Sequence, residues 1–357
     1  MNITYIILIF SMLGALDRIS GNRFGLGKEF EKGFNLLGAM SLSMIGMIII
    51  APYIGELLKP LSSFMTNVLN IDASVIPASL FANDMGGASL SEEMANTKMI
   101  GMYNALVVSS MMGCTVSFTI PFALGVVKKE LHKELILGIL WGIVTIPFGC
   151  IISGLICKIP FILLIINLIP LIIFSGIIVL GLIKVPELSI KIFKWFGVFI
   201  TAIITFGLAL GIIRFLTGYE VIKSLAPIEE GANICLNAAI ILSGSFPFMF
   251  VVSKALKKPL QATGKKIKIN DISVVCIVST LVSSAPAFGM MDKMDKKGIV
   301  LNSAFSVSGA FVLGSHLAFT LAFDESYIVP VIIGKLTAGI SAVLLAYYMY
   351  NRKTEKT

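Results

Sequence analysis

Three short stretches of this sequence set polar side chains among apolar neighbours, in combinations that could hold a small cation. The first reads Phe81-Ala82-Asn83-Asp84-Met85-Gly86-Gly87. Two adjacent glycines free the backbone for a tight turn. A carboxylate beside that turn could gather itself, the Asn83 amide and nearby carbonyls around a positive charge. The plainer reading makes Asp84 a turn residue that caps the next half-helix or meets water at an interface. The second stretch, Ser283-Ser284-Ala285-Pro286-Ala287-Phe288-Gly289, offers hydroxyls and carbonyls but no charge; it reads equally as a Pro–Gly kink filled by neighbouring helices. The third is Gly314-Ser315-His316. An imidazole in an apolar segment could relay protons or bind a solute, or it could simply hydrogen-bond across a helix interface. Asn104 and Asn302 stand near the starts of two matching segments, where amides commonly join helices. Glu92 and Glu93 follow the first stretch and read as a cation-attracting pair or a merely solvated one.

None of these groupings is catalytic by pattern. The sequence has no H-E-x-x-H, no G-x-S-x-G elbow and no Walker loop. With two histidines in all, a histidine-rich metal centre is excluded, and no cofactor is implied. The five cysteines (Cys114, Cys150, Cys157, Cys235, Cys276) form no CxxC pair and fall in apolar segments, as buried thiols do.

The elements that must position these residues are helices in a bilayer. Hydrophobic residues make up 57% of the chain and charged ones 13%, against about 25% charged in a soluble domain. The pattern gives an all-α polytopic membrane protein with about nine spans of about 20 residues each. They lie near 2–17, 34–57, 99–126, 134–157, 160–183, 192–216, 232–256, 299–323 and 327–350. Two further segments, near 70–90 and 271–290, are semi-polar and broken by Gly or Pro. Loop charge arbitrates their topology. If both re-enter on the side they came from, the lysines near 128–133, 184–194, 257–268 and 293–297 share one side with Arg18, Arg23 and the tail containing Lys353 and Lys356. That obeys the positive-inside rule and puts the N-terminus outside and the C-terminus in the cytoplasm. The net charge of +8 is thus spent on orientation rather than nucleic acid. Gly138xxxGly142 and Gly207xxxGly211 mark close helix packing.

The chain also echoes itself at an offset near 200 residues. Glu31-Lys32-Gly33-Phe34-Asn35 is answered by Glu229-Glu230-Gly231-Ala232-Asn233, and Lys59-Pro60-Leu61 by Lys258-Pro259-Leu260. Asn70-Ile71-Asp72-Ala73-Ser74-Val75 is answered by Ile269-Asn270-Asp271-Ile272-Ser273-Val274. Gly113 with Phe118-Thr119 matches Gly314 with Phe319-Thr320. One transmembrane domain over 1–357 then divides into a first repeat at 30–157, connecting helices at 158–216 and a second, inverted repeat at 229–350. Secondary transporters with inverted repeats bind their substrates near the midplane, at discontinuous helices.

At these motifs the sequence resembles the ethanolamine-utilisation transporter family (EutH). The resemblance covers almost the whole chain and is carried by Leu16-Asp17-Arg18-Ile19, Phe30-Glu31-Lys32-Gly33-Phe34, Asp84-Met85-Gly86-Gly87, Ser110-Met111-Met112-Gly113, Gly142-Ile143-Val144-Thr145-Ile146-Pro147, Phe288-Gly289-Met290-Met291 and His316-Leu317. It implies uptake of ethanolamine across the bacterial cytoplasmic membrane, by facilitated diffusion or by secondary transport with alternating access. Membrane lipids and a homo-oligomer are the other partners compatible with it. Asp84 would then meet the ammonium group, with Asn83, Gly86 and Gly87 shaping the pocket and His316 contacting the hydroxyl end. Ser283, Ser284, Ser315, Asn104 and Asn302 complete the candidate substrate-binding set. The family pattern puts an acidic residue where this chain has Ser315, and asparagines where it has Ser283 and Ser284. The alternative is a sodium- or proton-coupled symporter of another small polar solute, with Asp84 holding the coupling ion.

Overall fold

A computed structural model describes residues 3–354, except for the side chains of Leu256, Lys257, Leu260, Lys353 and Thr354. Asn2 and Lys356, invoked above for the first span and the tail, lie outside the described residues, as do the side chains of Lys257 and Lys353. All regular secondary structure among the described residues is helical, with no strand. The first half comprises α1 (Ile3–Ile19), α2 (Leu26–Asn35), α3 (Leu37–Leu57), α4 (Lys59–Leu69), α5 (Val75–Leu80), α6 (Gly87–Met94), α7 (Lys98–Tyr103) and α8 (Ile120–Val126). Between α7 and α8 the helix widens to i→i+5 hydrogen bonding over Asn104–Gly113 and Thr115–Thr119. Then come α9 (His132–Ile156), α10 (Phe161–Lys184), α11 (Pro186–Thr217), α12 (Ile228–Ile267), α13 (Asp271–Thr280), α14 (Ala285–Gly289), α15 (Lys296–Gly309), α16 (Ser315–Phe323) and α17 (Ile328–Thr354).

Seven stretches are long and apolar enough to cross a bilayer: Leu26–Leu57, Lys98–Val126, Lys129–Ile156, Phe161–Lys184, Pro186–Thr217, Ile228–Ala255 and Glu325–Arg352. α10 and α11 turn much of their surface outward, with Ile162, Ile173, Ile177, Val198, Phe199 and Phe206 exposed. Bare apolar area of that extent fits a lipid solvent. The stretch from α7 to α8 is the most enclosed. The glycine pairs do pack closely. Gly138 and Gly142 of α9 lie against α15, and Gly207 and Gly211 of α11 against α3.

Two of the nine expected spans, 2–17 and 299–323, are not among these seven stretches. α1 has 17 residues. The stretch 299–323 is two half-helices, not one. α15 stops at Gly309, the chain runs extended through Ala310, and Phe311 takes a left-handed φ of +63°. The cause is tertiary. The Phe311 and Leu313 N–H groups donate to the carbonyls of Thr280 and Leu281 (3.1 and 2.9 Å) instead of to their own helix.

The segments 70–90 and 271–290 are hairpins whose ends meet. The Asp72 carboxylate, where the first enters, accepts from the N–H groups of Asn96 and Thr97 where it leaves (3.0 and 3.3 Å). In the second, the Asp295 carboxylate accepts from Asn270 N–H (2.9 Å), and the Asn270 amide donates to the Lys293 carbonyl (2.9 Å). The two mouths lie at opposite ends of α9. Lys296 pairs with Glu134 at its start (3.9 Å), while Tyr103, following the first hairpin, donates to the Cys150 carbonyl near its end (2.7 Å). Charge divides the same way. Lys128, Lys293, Lys296 and Lys297 gather at the second mouth. At the first, Glu92 and Glu93 feel each other or the charges of Glu56, Glu230 and Asp324, with Lys59 and Lys98 beside them.

Contacts recur in pairs between the halves. The Asn104 amide donates to Ser74 Oγ (2.8 Å) and the Asn302 amide to the Ser273 carbonyl (2.9 Å). Gly113 backs onto the carbonyls at the first hairpin's break, at Ala78 and Phe81, and Gly314 onto Val282 at the second.

Candidate functional site

The first hairpin breaks because its backbone leaves the helical region at Phe81 and Ala82, both extended, and makes one tight turn over Asn83–Met85. Gly86 then takes φ +92°, with Met47 filling the space a side chain would need. A residue with a Cβ would be strained there and would also collide. No side chain caps α6. The Asp84 carboxylate instead faces the third stretch, where His316 Nε2 lies 3.7 Å from Oδ1 and the Ser315 hydroxyl is in hydrogen-bonding reach. His316 is closed in, with 2% of its side chain exposed, whereas Asp84 keeps 19% open. The carboxylate can therefore be approached while the imidazole is fixed behind it.

Gly314–His316 joins the two hairpin tips. Gly314 sits on Val282 of the second hairpin, and Ser315 and His316 meet Asp84 of the first. Aromatic rings line the junction. Phe311 packs on His316 (centroids 5.1 Å) and on Phe118 (5.4 Å), Phe118 stacks on Phe122 (5.0 Å), and Phe122 approaches Phe288 (6.2 Å). A groove of about 1070 Å³ between α8 and α11 reaches this region, running from Lys194 past Phe118 and Ser117 to Met85.

Buried polar atoms without partners concentrate here. Both amide atoms of Asn83, the Ser284 hydroxyl, the hydroxyls of Ser306 and Ser308, and Nδ1 of His316 have no hydrogen-bond partner among the described residues. Each such atom costs about 1–3 kcal/mol in a dry interior. Native proteins carry few, and a cluster of them calls for a ligand or water.

The sequence candidates thus divide. Asp84, Asn83, Gly86, Gly87, Ser315 and His316 come together around one turn. Ser284 is buried at the second tip with its hydroxyl free, while Ser283 is partly open and accepts from Ala285 N–H (3.4 Å). Asn104 and Asn302 stand away from the junction. The Asn104 amide is used by Ser74 and by a reciprocal pair with Asn167 (3.3 and 2.9 Å). The Asn302 amide nitrogen is used by Ser273 and Gly298, although its oxygen is free. Asp17, near the end of α1, is buried and accepts from Phe24 and Gly27 N–H (2.9 and 2.8 Å), while Arg18 pairs with Glu31 (2.8 Å).

Sequence reasoning missed Lys335. It lies in α17 with 1% exposed and donates from Nζ to the Ser110 carbonyl in the widened helix (2.5 Å). Asp84 and His316 are both close enough to feel its charge. The signal was available, since a lone lysine inside an apolar span is costly and faces the protein interior.

Comparison with known proteins identifies the relatives of this chain. A family model described as "Ethanolamine utilisation protein, EutH" matches residues 1–349. The chain is 43% identical over 354 residues to a Listeria monocytogenes protein named probable ethanolamine permease EutH, covering 99% of this chain and 95% of that one. It is 36% identical over 389 residues to the Escherichia coli protein of the same name, covering 98% and 95%. A Bacillus subtilis relative, the uncharacterised protein YxeR, is 35% identical over 354 residues, covering 99% and 96%. No solved structure matches the chain.

Proposed function

This chain belongs to the EutH family of ethanolamine utilisation proteins, and on that premise we propose that it carries ethanolamine across the bacterial cytoplasmic membrane as a cation bound at Asp84. The observation that carries the reading is the set of buried, unpartnered polar atoms beside one partly exposed carboxylate. Ethanolamine is an ammonium and a hydroxyl two carbons apart. Its amine, like that of lysine, is almost wholly protonated at neutral pH. The ammonium donates to the Asp84 carboxylate and to the Asn83 amide oxygen. The hydroxyl donates to Nδ1 of His316, and the unpartnered Asn83 nitrogen and Ser284 hydroxyl are the donors left to take up its lone pairs. The rings of Phe118, Phe122 and Phe311 enclose the methylenes and offer π faces to the charge. Gly86 and Gly87 let the turn close on so small a ligand.

Alternating access follows from the hairpins. The site lies where their tips approach, and the mouths open toward opposite ends of α9. The inverted-repeat reading is supported by the paired contacts of Asn104 with Asn302 and of Gly113 with Gly314. The lysine-rich mouth belongs at the cytoplasm by the positive-inside rule, which also sets the C-terminus there. The acidic mouth then faces outward, where it concentrates cations.

The test is uptake of labelled ethanolamine into liposomes holding the purified protein, at mildly acidic pH to suppress leak of the neutral amine. Wild type takes it up above protein-free vesicles, and Asp84→Asn, which removes the charge but keeps the shape, takes up at least tenfold less. Uptake by Asp84→Asn equal to wild type refutes Asp84 as the cation site. No uptake by folded wild type refutes the substrate.

A further inference from the structure

The binding scheme leaves one buried charge unused. The Lys335 ammonium is enclosed by α17, the widened helix between α7 and α8, and α9, and its hydrogen bond goes to a neutral acceptor, the Ser110 carbonyl. It makes no direct ion pair among the described residues. The titratable groups facing it are Asp84 from the first hairpin, Cys114 from the widened helix, Cys150 from α9 and His316 from α16. At their ordinary values the thiols and the imidazole are mostly neutral near pH 7, so the resident charges are one carboxylate and one ammonium.

That inventory balances only while the site is empty of substrate. An arriving ammonium at Asp84 would place two cations opposite one carboxylate in a dry interior, where uncompensated charge is expensive. Of the two cations the lysine is the one held in place, and a buried lysine, unlike an arginine, can give up its proton. We propose that Lys335 makes this protein an exchanger: each ethanolammonium that binds Asp84 displaces one proton from Lys335. On the far side, release of ethanolammonium restores that proton. The balance is ethanolammonium outside plus a proton inside going to ethanolammonium inside plus a proton outside, with no net charge moved. Lys335 also supplies the positive charge that a coupling sodium ion would otherwise bring, so sodium has no part. The inference rests on the ethanolamine reading of the Asp84 site and adds its coupling.

Reconstituted wild type and Lys335→Met separate the possibilities, with every rate read above that of protein-free vesicles. Wild-type uptake ignores a potassium–valinomycin potential and sodium, and accumulation follows the pH gradient at about tenfold per unit, interior acid. The transport that Lys335→Met retains carries net charge, and an inside-negative potential of about 100 mV drives about 50-fold accumulation. Lys335→Arg, which keeps the cation but cannot release the proton, shows no uptake. Calorimetry on detergent-solubilised wild type, in buffers of different ionisation enthalpy, reports one proton released per ethanolamine bound, and it stands whether or not the variants fold. Potential-driven uptake by wild type, or binding without proton release, overturns the exchange. Wild type that neither binds nor transports ethanolamine overturns the substrate reading itself, and the exchange with it.

Discussion

Asp72→Ala tests whether the first broken segment is a hairpin held by its own mouth. The Asp72 carboxylate accepts four hydrogen bonds: from Ser74 N–H (3.0 Å), Ser74 Oγ (2.6 Å), Asn96 N–H (3.0 Å) and Thr97 N–H (3.3 Å). The first two shape the entry turn, and the last two tie entry to exit. Bonds to a charged acceptor are worth about 1.5–3 kcal/mol each, and less where water can replace them. Asn96 and Thr97 are exposed, so water replaces part of each bond and its worth falls below that range, to about 1 kcal/mol each. Losing about 2 kcal/mol of local stability raises the population of the opened hairpin about 30-fold. Hydrogen–deuterium exchange in a lipid nanodisc measures it. Amides over 75–94 should exchange about 30-fold faster in Asp72→Ala, while those over 271–293 keep the wild-type rate. Asp295→Ala should do the reverse, and it also removes the acceptor of Gly298 N–H at the cap of α15 (3.2 Å). A segment that crossed the bilayer would hold its ends about 30 Å apart, with no such tie to lose. Unchanged exchange over 75–94, or an equal rise everywhere, refutes the clasp.

Three further outcomes follow from the charges and the turn. Glu92→Gln with Glu93→Gln removes two negative charges from the acidic mouth, so the apparent KM for ethanolamine rises severalfold at low ionic strength with kcat unchanged, and the difference vanishes at about 0.5 M salt; salt-insensitive loss would place these residues elsewhere in the cycle. Gly86→Ala meets both a left-handed φ and the Met47 side chain, a combined cost of about 2–4 kcal/mol, read as a lowered melting temperature and lost ethanolamine binding. Lys128 donates to Asp292 (2.9 Å), and that hydrogen bond holds the Asp292 carboxyl below the usual range. The pair's contribution is therefore whole above about pH 4 and fades only as pH falls through the lowered value. Asp292→Asn should lower the melting temperature slightly at pH 7 and progressively less as pH falls below about 4, the small size reflecting an exposed, screened pair; a difference that grows as pH falls refutes the assignment.

Much of this was legible in the sequence because apolar length, glycine and charge act locally. The long spans follow from runs such as 161–183, and the first break from a charge beside Gly86-Gly87. The closeness of Asp84 to His316 was not legible as geometry, because 232 residues separate them and only the junction of the hairpin tips brings them together. The break at 310–314 was hidden for a related reason. Ala310-Phe311-Val312-Leu313 is apolar enough to continue a helix, and it is not helical because the Phe311 and Leu313 N–H groups are captured by carbonyls of the second hairpin. The flanking Gly309 and Gly314 were the visible hint. The widening at Asn104–Thr119 has no single breaker, although Ser109, Ser110, Thr115 and Ser117 all turn their hydroxyls back onto helix carbonyls, a habit that bends helices.

The departures from ordinary helix chemistry are spatially one feature. A left-handed Phe311, two severed helices, a stretch of i→i+5 bonding, a lysine without a direct counter-ion and a set of unpartnered polar atoms each cost stability. Any one of them alone would be a candidate for repair by a more apolar residue. They meet instead at the carboxylate and imidazole that two hairpin tips bring together. A sequence that keeps local rules elsewhere and breaks several at one place is bearing that cost where a ligand can offset it. On the proposed reading ethanolamine would suit the deficit: its ammonium would answer Asp84, its hydroxyl His316 and Asn83, and its positive charge would require Lys335 to yield a proton. The same polar groups that destabilise the empty site therefore become, on binding, the reason a small, well-hydrated cation leaves water for it.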